Sequence, residues 1–186
     1  MEKRIIYTGI DPSGYVQETN VLHFPLISLE MRSLVATEIT EIFSKIYSYT
    51  HILFTSKYAV QAFFFCMKEL NIPKEHLDPV FLLAIGRSTV KALEDEGVYV
   101  GYVETFDLED ARLLLTQAAI AKQKLVHYLV EKGIGYEVII LYDLIKEDPY
   151  TKINLNDFDE IIFTSPVGVE AFFEIYDDLP PALEVH

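Results

Sequence analysis

One segment occurs twice in this chain, and this internal repeat limits the possible folds more than any other feature. The first copy, His51–Met67, reads HILFTSKYAVQAFFFCM, and the second, Glu160–Tyr176, reads EIIFTSPVGVEAFFEIY. Eight positions are identical when His51 is aligned with Glu160 and no gaps are introduced. The two copies lie too far apart for a solenoid, whose repeats recur every 20 to 50 residues or so. The repeat therefore predicts two copies of one domain within 186 residues.

Each copy begins with a short apolar run, continues with Thr-Ser and ends in a run of helical spacing, which predicts a strand, a turn and a helix. Ser56 and Ser165 suit the N-caps of the two helices, and Pro166 suits the first turn of the second. Elsewhere strand patterns alternate with helical ones, which predicts an α/β fold with parallel sheets. The expected strands are Arg4–Thr8, Val21–Leu29, His51–Phe54, Val80–Ile85, Val98–Val103, Tyr136–Ile145 and Glu160–Phe163. The expected helices are Ser33–Tyr47, Thr55–Leu70, Ser88–Glu96, Asp107–Lys132 and Ser165–Tyr176.

The helix expected over Asp107–Lys132 is too long for an ordinary α/β unit, at about 26 residues against an average of about 11 or 12. A parallel sheet requires a strand between two such helices, and none is recognisable around Lys122-Gln123-Lys124. We therefore expect that the sequence lacks residues near 116–124. Intact mass of the purified protein tests this hypothesis, and a mass of 21.4 kDa contradicts it.

Composition excludes several classes of function. Lys and Arg total 15 against 29 Asp and Glu, and this net charge of −14 argues against nucleic acids and anionic membranes as partners. No apolar run approaches the roughly 20 residues that span a bilayer. Cys66 is the one cysteine and is expected to be buried, and the five histidines are scattered, so we expect no disulfide and no metal site. A cytoplasmic protein is expected.

The aromatic residues shared by the two copies are expected in the core: Phe63, Phe64, Phe172 and Phe173.

The repeated Thr-Ser turns are candidate anion sites. Such turns lie at the carboxyl ends of strands, where ligands bind in open α/β sheets, and they combine hydroxyl groups with the positive end of a helix. The turn Gly86-Arg87-Ser88 is similar and adds a cation, and Thr105 or Asp107 opens a further helix. The alternative is that Thr and Ser merely cap these helices. The candidate binding residues are Thr55, Ser56, Lys57, Gly86, Arg87, Ser88, Thr105, Thr164 and Ser165.

The order of these motifs resembles the uroporphyrinogen-III synthase family, which closes the tetrapyrrole ring without a cofactor. The resemblance covers nearly the whole chain. It rests on Ile52–Phe64, on Ala84–Thr89 with Ala92-Leu93 and Gly97-Val98, on Glu104-Thr105, on Tyr142 in a strand after Gly135, and on Ile161–Phe173.

The resemblance implies two similar α/β domains with a cleft between them, joined by extended connectors at Val21–Leu29 and Glu137–Ile145. Residues 30–140 are then the inserted domain, and residues 1–29 with 141–186 form the other. The family continues past a position like His186 into a further turn, strand and helix. We therefore expect the second domain to be incomplete at its carboxyl end.

The resemblance also implies the chemistry. The substrate is hydroxymethylbilane, a linear tetrapyrrole with eight carboxylates, which loses water, inverts its last pyrrole ring through a spiro intermediate and closes. Tyr142 is the implied proton donor to the departing hydroxyl, and packing at a domain junction is its alternative role. A monomer is expected. Two other classes of function stay open: a two-lobed protein that closes on a small anion, and a non-catalytic interaction module.

Overall fold

The computed structural model describes residues 2–15, 20–34, 36–102, 111–119, 124–148 and 151–186. The chain divides into two compact units. Unit 1 is Met1–Glu30 with Leu144–His186, and unit 2 is Met31–Asp143. Each contains a sheet in which every strand pair of described register is parallel, so the chain has an α/β fold as expected.

Most of the six-stranded sheet belongs to unit 2. The strands of this sheet are β3 (Ile27–Met31), β4 (His51–Phe54), β5 (Phe81–Ala84), β6 (Gly101–Tyr102), β7 (Arg112–Ala118) and β8 (Gly135–Lys146), in the order β3-β8-β7-β4-β5-β6. The division of the chain falls within β3, after Glu30, and within β8, after Asp143. All four residues of β4 are buried, as a strand covered on both faces must be. In its described residues this unit has the α-helices α1 (Thr37–Ser44), α2 (Lys57–Glu69), α3 (Arg87–Asp95) and α4 (Lys124–Glu131).

Strand β7 corrects the largest error of the sequence prediction. Arg112–Ala118 lies within the helix expected over Asp107–Lys132, yet it is a strand with parallel partners on both sides, β4 and β8. Its residues Leu113, Leu114 and Leu115 are at most 1% exposed. A continuous apolar run has neither helical nor strand periodicity, so the helix propensity of leucine misled the prediction. The strand thought to be missing near residues 116–124 is this one, and the hypothesis of omitted residues there loses its basis.

Unit 1 is built on a four-stranded sheet. Its strands are β1 (Ile5–Tyr7), β2 (Val21–His23), β9 (Glu160–Ile162) and β10 (Glu184–Val185), in the order β10-β9-β1-β2, and its helix is α5 (Pro166–Ile175). Ile6, Ile161 and Phe172 form the centre of its core, and none of them is exposed to solvent. The two-residue strand β10 was not predicted.

The two copies of the repeat have the same local geometry. In α2 the side chain of Ser56 accepts a hydrogen bond from the Ala59 amide, and in α5 Ser165 accepts one from Gly168. The rings of Phe54 and Phe63 meet edge to face at 5.2 Å and 88°, and those of Phe163 and Phe172 at 5.4 Å and 84°. The predicted N-caps and the position of Pro166 at the start of α5 are confirmed.

A second correspondence lies outside the repeated segment. Thr116, which follows the three leucines of β7, donates its hydroxyl proton to the Leu53 carbonyl, and Thr8, after β1, donates to the Ile162 carbonyl. Leu53 and Ile162 occupy the same position of the repeat, two residues after its first residue in each copy. Both threonines are almost wholly buried, so each sheet joins its two central strands through an equivalent side-chain hydrogen bond.

Other differences from the sequence prediction are smaller. Phe173 is 48% exposed, because it lies on the outer face of α5 while its neighbour Phe172 enters the core. Val21–Leu29 is not one strand: the chain leaves β2 at Phe24, passes Pro25 and begins β3 at Ile27. The helix expected over Ser33–Tyr47 is the shorter α1, and the expected strand Val98–Val103 is reduced to β6 in its described part. Cys66 is buried as predicted, which raises the pKa of its thiol to about 11.

Candidate functional site

The turn after β4 lies at the carboxyl edge of the six-stranded sheet. Thr55 and Ser56 occupy it, and both are half-buried. The Thr55 hydroxyl donates to the Thr116 carbonyl at 3.0 Å, and the Ser56 oxygen receives the Ala59 amide at 3.0 Å. The Thr55 proton is therefore committed to the protein, whereas the Ser56 oxygen keeps one proton and one lone pair for a further partner.

That further partner is Tyr142, the predicted proton donor. Its phenol oxygen lies 2.7 Å from the Ser56 oxygen, although the two residues are 86 positions apart in the chain. Strand β8 carries Tyr142 to this edge, where it pairs with Ala118 just after a register shift between Gln117 and Ala118. Tyr142 is 3% exposed. Burial raises the pKa of its phenol and the Ser56 hydrogen bond lowers it, with burial the larger effect, so the phenol is protonated at neutral pH.

Asp143, the residue after Tyr142 on β8, is held by an ion pair with Arg32. Asp143 accepts two hydrogen bonds from the Arg32 guanidinium, at 2.9 and 3.1 Å, and the Arg32 amide donates to the Leu141 carbonyl. A two-point contact of this kind restricts orientation more than a single ion pair does. The contact also neutralises the carboxylate beside Tyr142 in the chain.

The turn after β5 is at the same edge. Gly86 has a φ of +86°, a conformation that favours glycine, and begins α3 without any side-chain cap. Arg87 and Ser88 follow it, and all three residues are exposed. Within α3, Thr89 donates its hydroxyl to the Ile85 carbonyl. Lys57, the first residue of α2, has its ammonium 5.1 Å from the centre of the Tyr58 ring.

The carboxyl edge of the four-stranded sheet carries the second Thr-Ser turn. Thr164 is exposed, and a Cβ added at Gly9 would lie 2.7 Å from its methyl group and 2.6 Å from the Tyr7 hydroxyl. Gly9 therefore lets these two side chains approach the backbone. His23 also lies here, with its Nε2 2.8 Å from the Gly9 carbonyl oxygen. Ser165 caps α5.

The structure thus brings Thr55, Ser56 and Tyr142 together, places Gly86, Arg87 and Ser88 at the same edge of unit 2, and places Thr164 and Ser165 at the corresponding edge of unit 1. Thr105 and the helix start at Thr105 or Asp107 lie outside the described residues. Sequence reasoning did not find the partners Thr116, Arg32 and Asp143. The only signal for Thr116 was its place after an apolar run, like that of Thr8.

Two other polar clusters lie away from these edges. A cavity of about 260 Å³ opens at the amino edge of the larger sheet, where Glu137 binds Lys45 and Tyr49, and the hydrogen bond from Tyr49 lowers the pKa of Glu137. In unit 1 the ligand atoms of Glu160, Glu184 and His186 lie within 4.8 Å of one another. Lys3 forms ion pairs with both of these glutamates, so each carboxylate already has a cationic partner.

Comparisons with known proteins agree on one family. The model of the family Uroporphyrinogen-III synthase HemD matches residues 17–184. A solved uroporphyrinogen-III synthetase from Helicobacter pylori has a TM-score of 0.67 at 21% identity, over 99% of this chain and 83% of that one. A mutant uroporphyrinogen III synthase from Thermus thermophilus has a TM-score of 0.65 at 16% identity, over 99% and 84%. These likenesses show the fold. No curated protein matches this chain significantly. None of the helices in the described part of the chain is long and apolar enough to cross a membrane.

Proposed function

Because this chain belongs to the uroporphyrinogen-III synthase family, a family of cyclising lyases in haem biosynthesis, we propose that it closes hydroxymethylbilane with Tyr142 as the proton donor. The observation that carries the site is the 2.7 Å contact between Tyr142 and Ser56 at the carboxyl edge of the larger sheet. In open parallel sheets this is the edge where ligands bind.

The first step is loss of the hydroxyl as water. The Tyr142 phenol donates its proton to the departing oxygen as the carbon–oxygen bond breaks, which leaves water, a phenolate and a cationic azafulvene. The last pyrrole ring then attacks the azafulvene, inverts through the spiro intermediate and closes the macrocycle. These steps release one proton, which restores the phenol. Burial raises the pKa of Tyr142, so the phenol carries a proton at neutral pH before the step begins.

Recognition of the eight carboxylates is assigned to the turns at the two carboxyl edges. In unit 2 these are Thr55-Ser56-Lys57 and Gly86-Arg87-Ser88, and in unit 1 Thr164-Ser165. Thr105, which lies outside the described residues, keeps the binding role that the family resemblance implies. Each described turn precedes a helix, whose positive end attracts anions even on a protein of net charge −14. Arg87 adds an exposed cation. That residues of both units hold one substrate stays a prediction.

We further propose that the two units arose by duplication and are joined by the extended segments Val21–Leu29 and Glu137–Ile145. The matched Phe pairs, the matched serine caps and the Thr8 and Thr116 hydrogen bonds support this proposal. The sheet orders support it as well, since β10-β9-β1-β2 repeats the order β5-β4-β7-β8. A cytoplasmic monomer without nucleic-acid partners is the setting we propose, in line with a buried free cysteine and the negative charge.

Turnover of hydroxymethylbilane tests the activity. Spontaneous closure gives the I isomer without ring inversion, so the enzyme should accelerate consumption and give mainly uroporphyrinogen III, as resolved by chromatography after oxidation. Heat-inactivated protein is the control. Product formed only as isomer I, at the spontaneous rate, contradicts the proposal and favours an anion-binding or non-catalytic protein.

The two repeated threonines should differ when each is replaced by valine. Thr164→Val should raise KM several-fold with little change in melting temperature, because Thr164 is exposed and its hydroxyl is not part of the core. Thr55→Val should instead lower the free energy of unfolding by about 1 kcal/mol and change KM little, since the Thr55 hydroxyl donates its proton to the Thr116 carbonyl. An unchanged KM in Thr164→Val would assign the Thr-Ser turn of unit 1 to helix capping alone.

Salt should affect substrate capture only weakly. Recognition by donors at close range depends little on the long-range field, and that field is repulsive here. We expect KM to change less than about threefold between about 20 and 200 mM potassium chloride. A steep rise of KM with salt would show that long-range attraction by cations governs binding.

A further inference from the structure

We propose that Ser56 is a positioning residue for Tyr142: its hydroxyl holds the phenol in one orientation and donates a hydrogen bond to the phenolate left after proton transfer. The inference rests on the role of Tyr142 proposed above. On this proposal the Ser56 side chain contacts Tyr142 rather than the substrate. Only the backbone of the turn is then available to bind substrate carboxylates.

The position of the Ser56 oxygen is fixed by the helix that it caps. The residue has an extended backbone, with φ −159° and ψ 160°, and its oxygen receives the Ala59 amide at 3.0 Å. Moving the oxygen toward any other partner would therefore uncap α2. Tyr142, 2.7 Å away, contacts a group that is held independently of it.

The hydrogen-bonding capacity of Ser56 suits both protonation states of the phenol. A serine hydroxyl has one proton and two lone pairs, and the Ala59 amide uses one lone pair. The other lone pair can accept the proton of a neutral Tyr142. After that proton leaves, rotation about the Cβ–Oγ bond turns the serine proton toward the phenolate. The two oxygen atoms keep their positions in both states, so the contact needs no rearrangement during the reaction.

The charged side chains named on the neighbouring elements have partners of their own, so the contact that we assign to stabilising the phenolate of Tyr142 is the one with Ser56. Along β8 the next residue, Asp143, is paired with Arg32 beyond the end of β3. Lys57 follows Ser56 at the start of α2, with its ammonium over the Tyr58 ring. The residues of β7 nearest in register to Tyr142 are Gln117 and Ala118, and both side chains are uncharged. Within the described part of the chain, burial raises the pKa of Tyr142 and the Ser56 hydrogen bond lowers it, so this contact favours the phenolate.

The test separates positioning of Tyr142 from substrate binding and from helix capping. Ser56→Ala should lower kcat about tenfold and change KM less than about twofold. Ser56→Gly keeps most of the helix stability, since glycine is a tolerable N-cap, and should be as slow as the alanine variant. Ser56→Thr keeps both the cap and the hydroxyl and should restore most of kcat. Ser165→Ala removes the equivalent cap of α5 and calibrates the fall in melting temperature due to capping alone.

Combination with Tyr142→Phe distinguishes this inference from the role of Tyr142 itself. In the phenylalanine background, Ser56→Ala should lower kcat no further, because the group it positions is absent. A slow Tyr142→Phe enzyme with a normal kcat in Ser56→Ala and Ser56→Gly overturns this inference alone. A raised KM with normal kcat assigns Ser56 to substrate and also overturns it. A normal rate in Tyr142→Phe overturns the proposed role of Tyr142.

Discussion

Replacing Tyr142 by phenylalanine should slow enzymatic ring closure about 100-fold. The substitution removes one oxygen atom and leaves the ring in its buried position, so the loss measures the proton donor rather than the packing. The departing hydroxyl then has to leave without a positioned acid. Because spontaneous closure continues at its own rate, the fraction of isomer I should rise as the enzymatic rate falls. Initial rates and isomer ratios at saturating hydroxymethylbilane measure both effects.

The matched control is Tyr136→Phe on the same strand. Tyr136 lines the cavity at the amino edge of the sheet, away from Ser56, and its loss of a hydroxyl should leave kcat and the isomer ratio unchanged. Tyr142→Phe should also cost about 1 kcal/mol of stability, which urea denaturation measures. An unchanged rate and isomer ratio would remove Tyr142 from the mechanism and leave it as a packing residue.

Replacing Phe172 by alanine should lower the free energy of unfolding by about 3–5 kcal/mol. Its ring is fully buried in the core of unit 1, edge to face with Phe163 at 5.4 Å and stacked on Tyr176 at 4.8 Å. Truncation leaves a cavity that the small four-stranded sheet has few side chains to refill. Urea unfolding followed by circular dichroism gives the change.

Phe173 provides the control, because the sequence alone predicts that Phe172 and Phe173 are both buried in the core. Phe173 is 48% exposed, so Phe173→Ala should cost less than about 1 kcal/mol. Equal losses in the two variants would contradict the orientation of α5 and the core built on it. A large loss of unfolding free energy in Phe172→Ala alone supports the orientation of α5 and the core of unit 1.

The repeated segments were predictable because several local signals coincide in them. His51–Phe54 is a short apolar run, Ser56 begins the helix, and the same order recurs at Glu160. Strand β7 was not predictable, since Arg112–Ala118 is rich in leucine and its strand state depends on pairing with β4 and β8 on either side. Partners distant in the chain supply that pairing, and periodicity cannot detect it.

The site was predictable in part for the same reason. The turns were visible because strand, hydroxyl residues and helix follow one another locally. The contact of Ser56 with Tyr142 was not, because it joins residues 86 positions apart. The equivalence of Thr8 and Thr116 was not detectable because the strands that carry them occur in a different order relative to the repeated strands. In unit 2 the threonine strand β7 follows the repeated strand β4, whereas in unit 1 the threonine strand β1 precedes the repeated strand β9. A search at the constant offset that relates His51 to Glu160 therefore cannot find it.

The most direct test of this account is to map where uroporphyrinogen III binds, by amide chemical shifts of the isotope-labelled protein under anaerobic conditions. We expect shifts at the carboxyl edges, at Ser56, Arg87 and Thr164, and none around Glu137 at the amino edge of the larger sheet. Shifts confined to the cavity beside Glu137, or no shifts at saturating product, would contradict it.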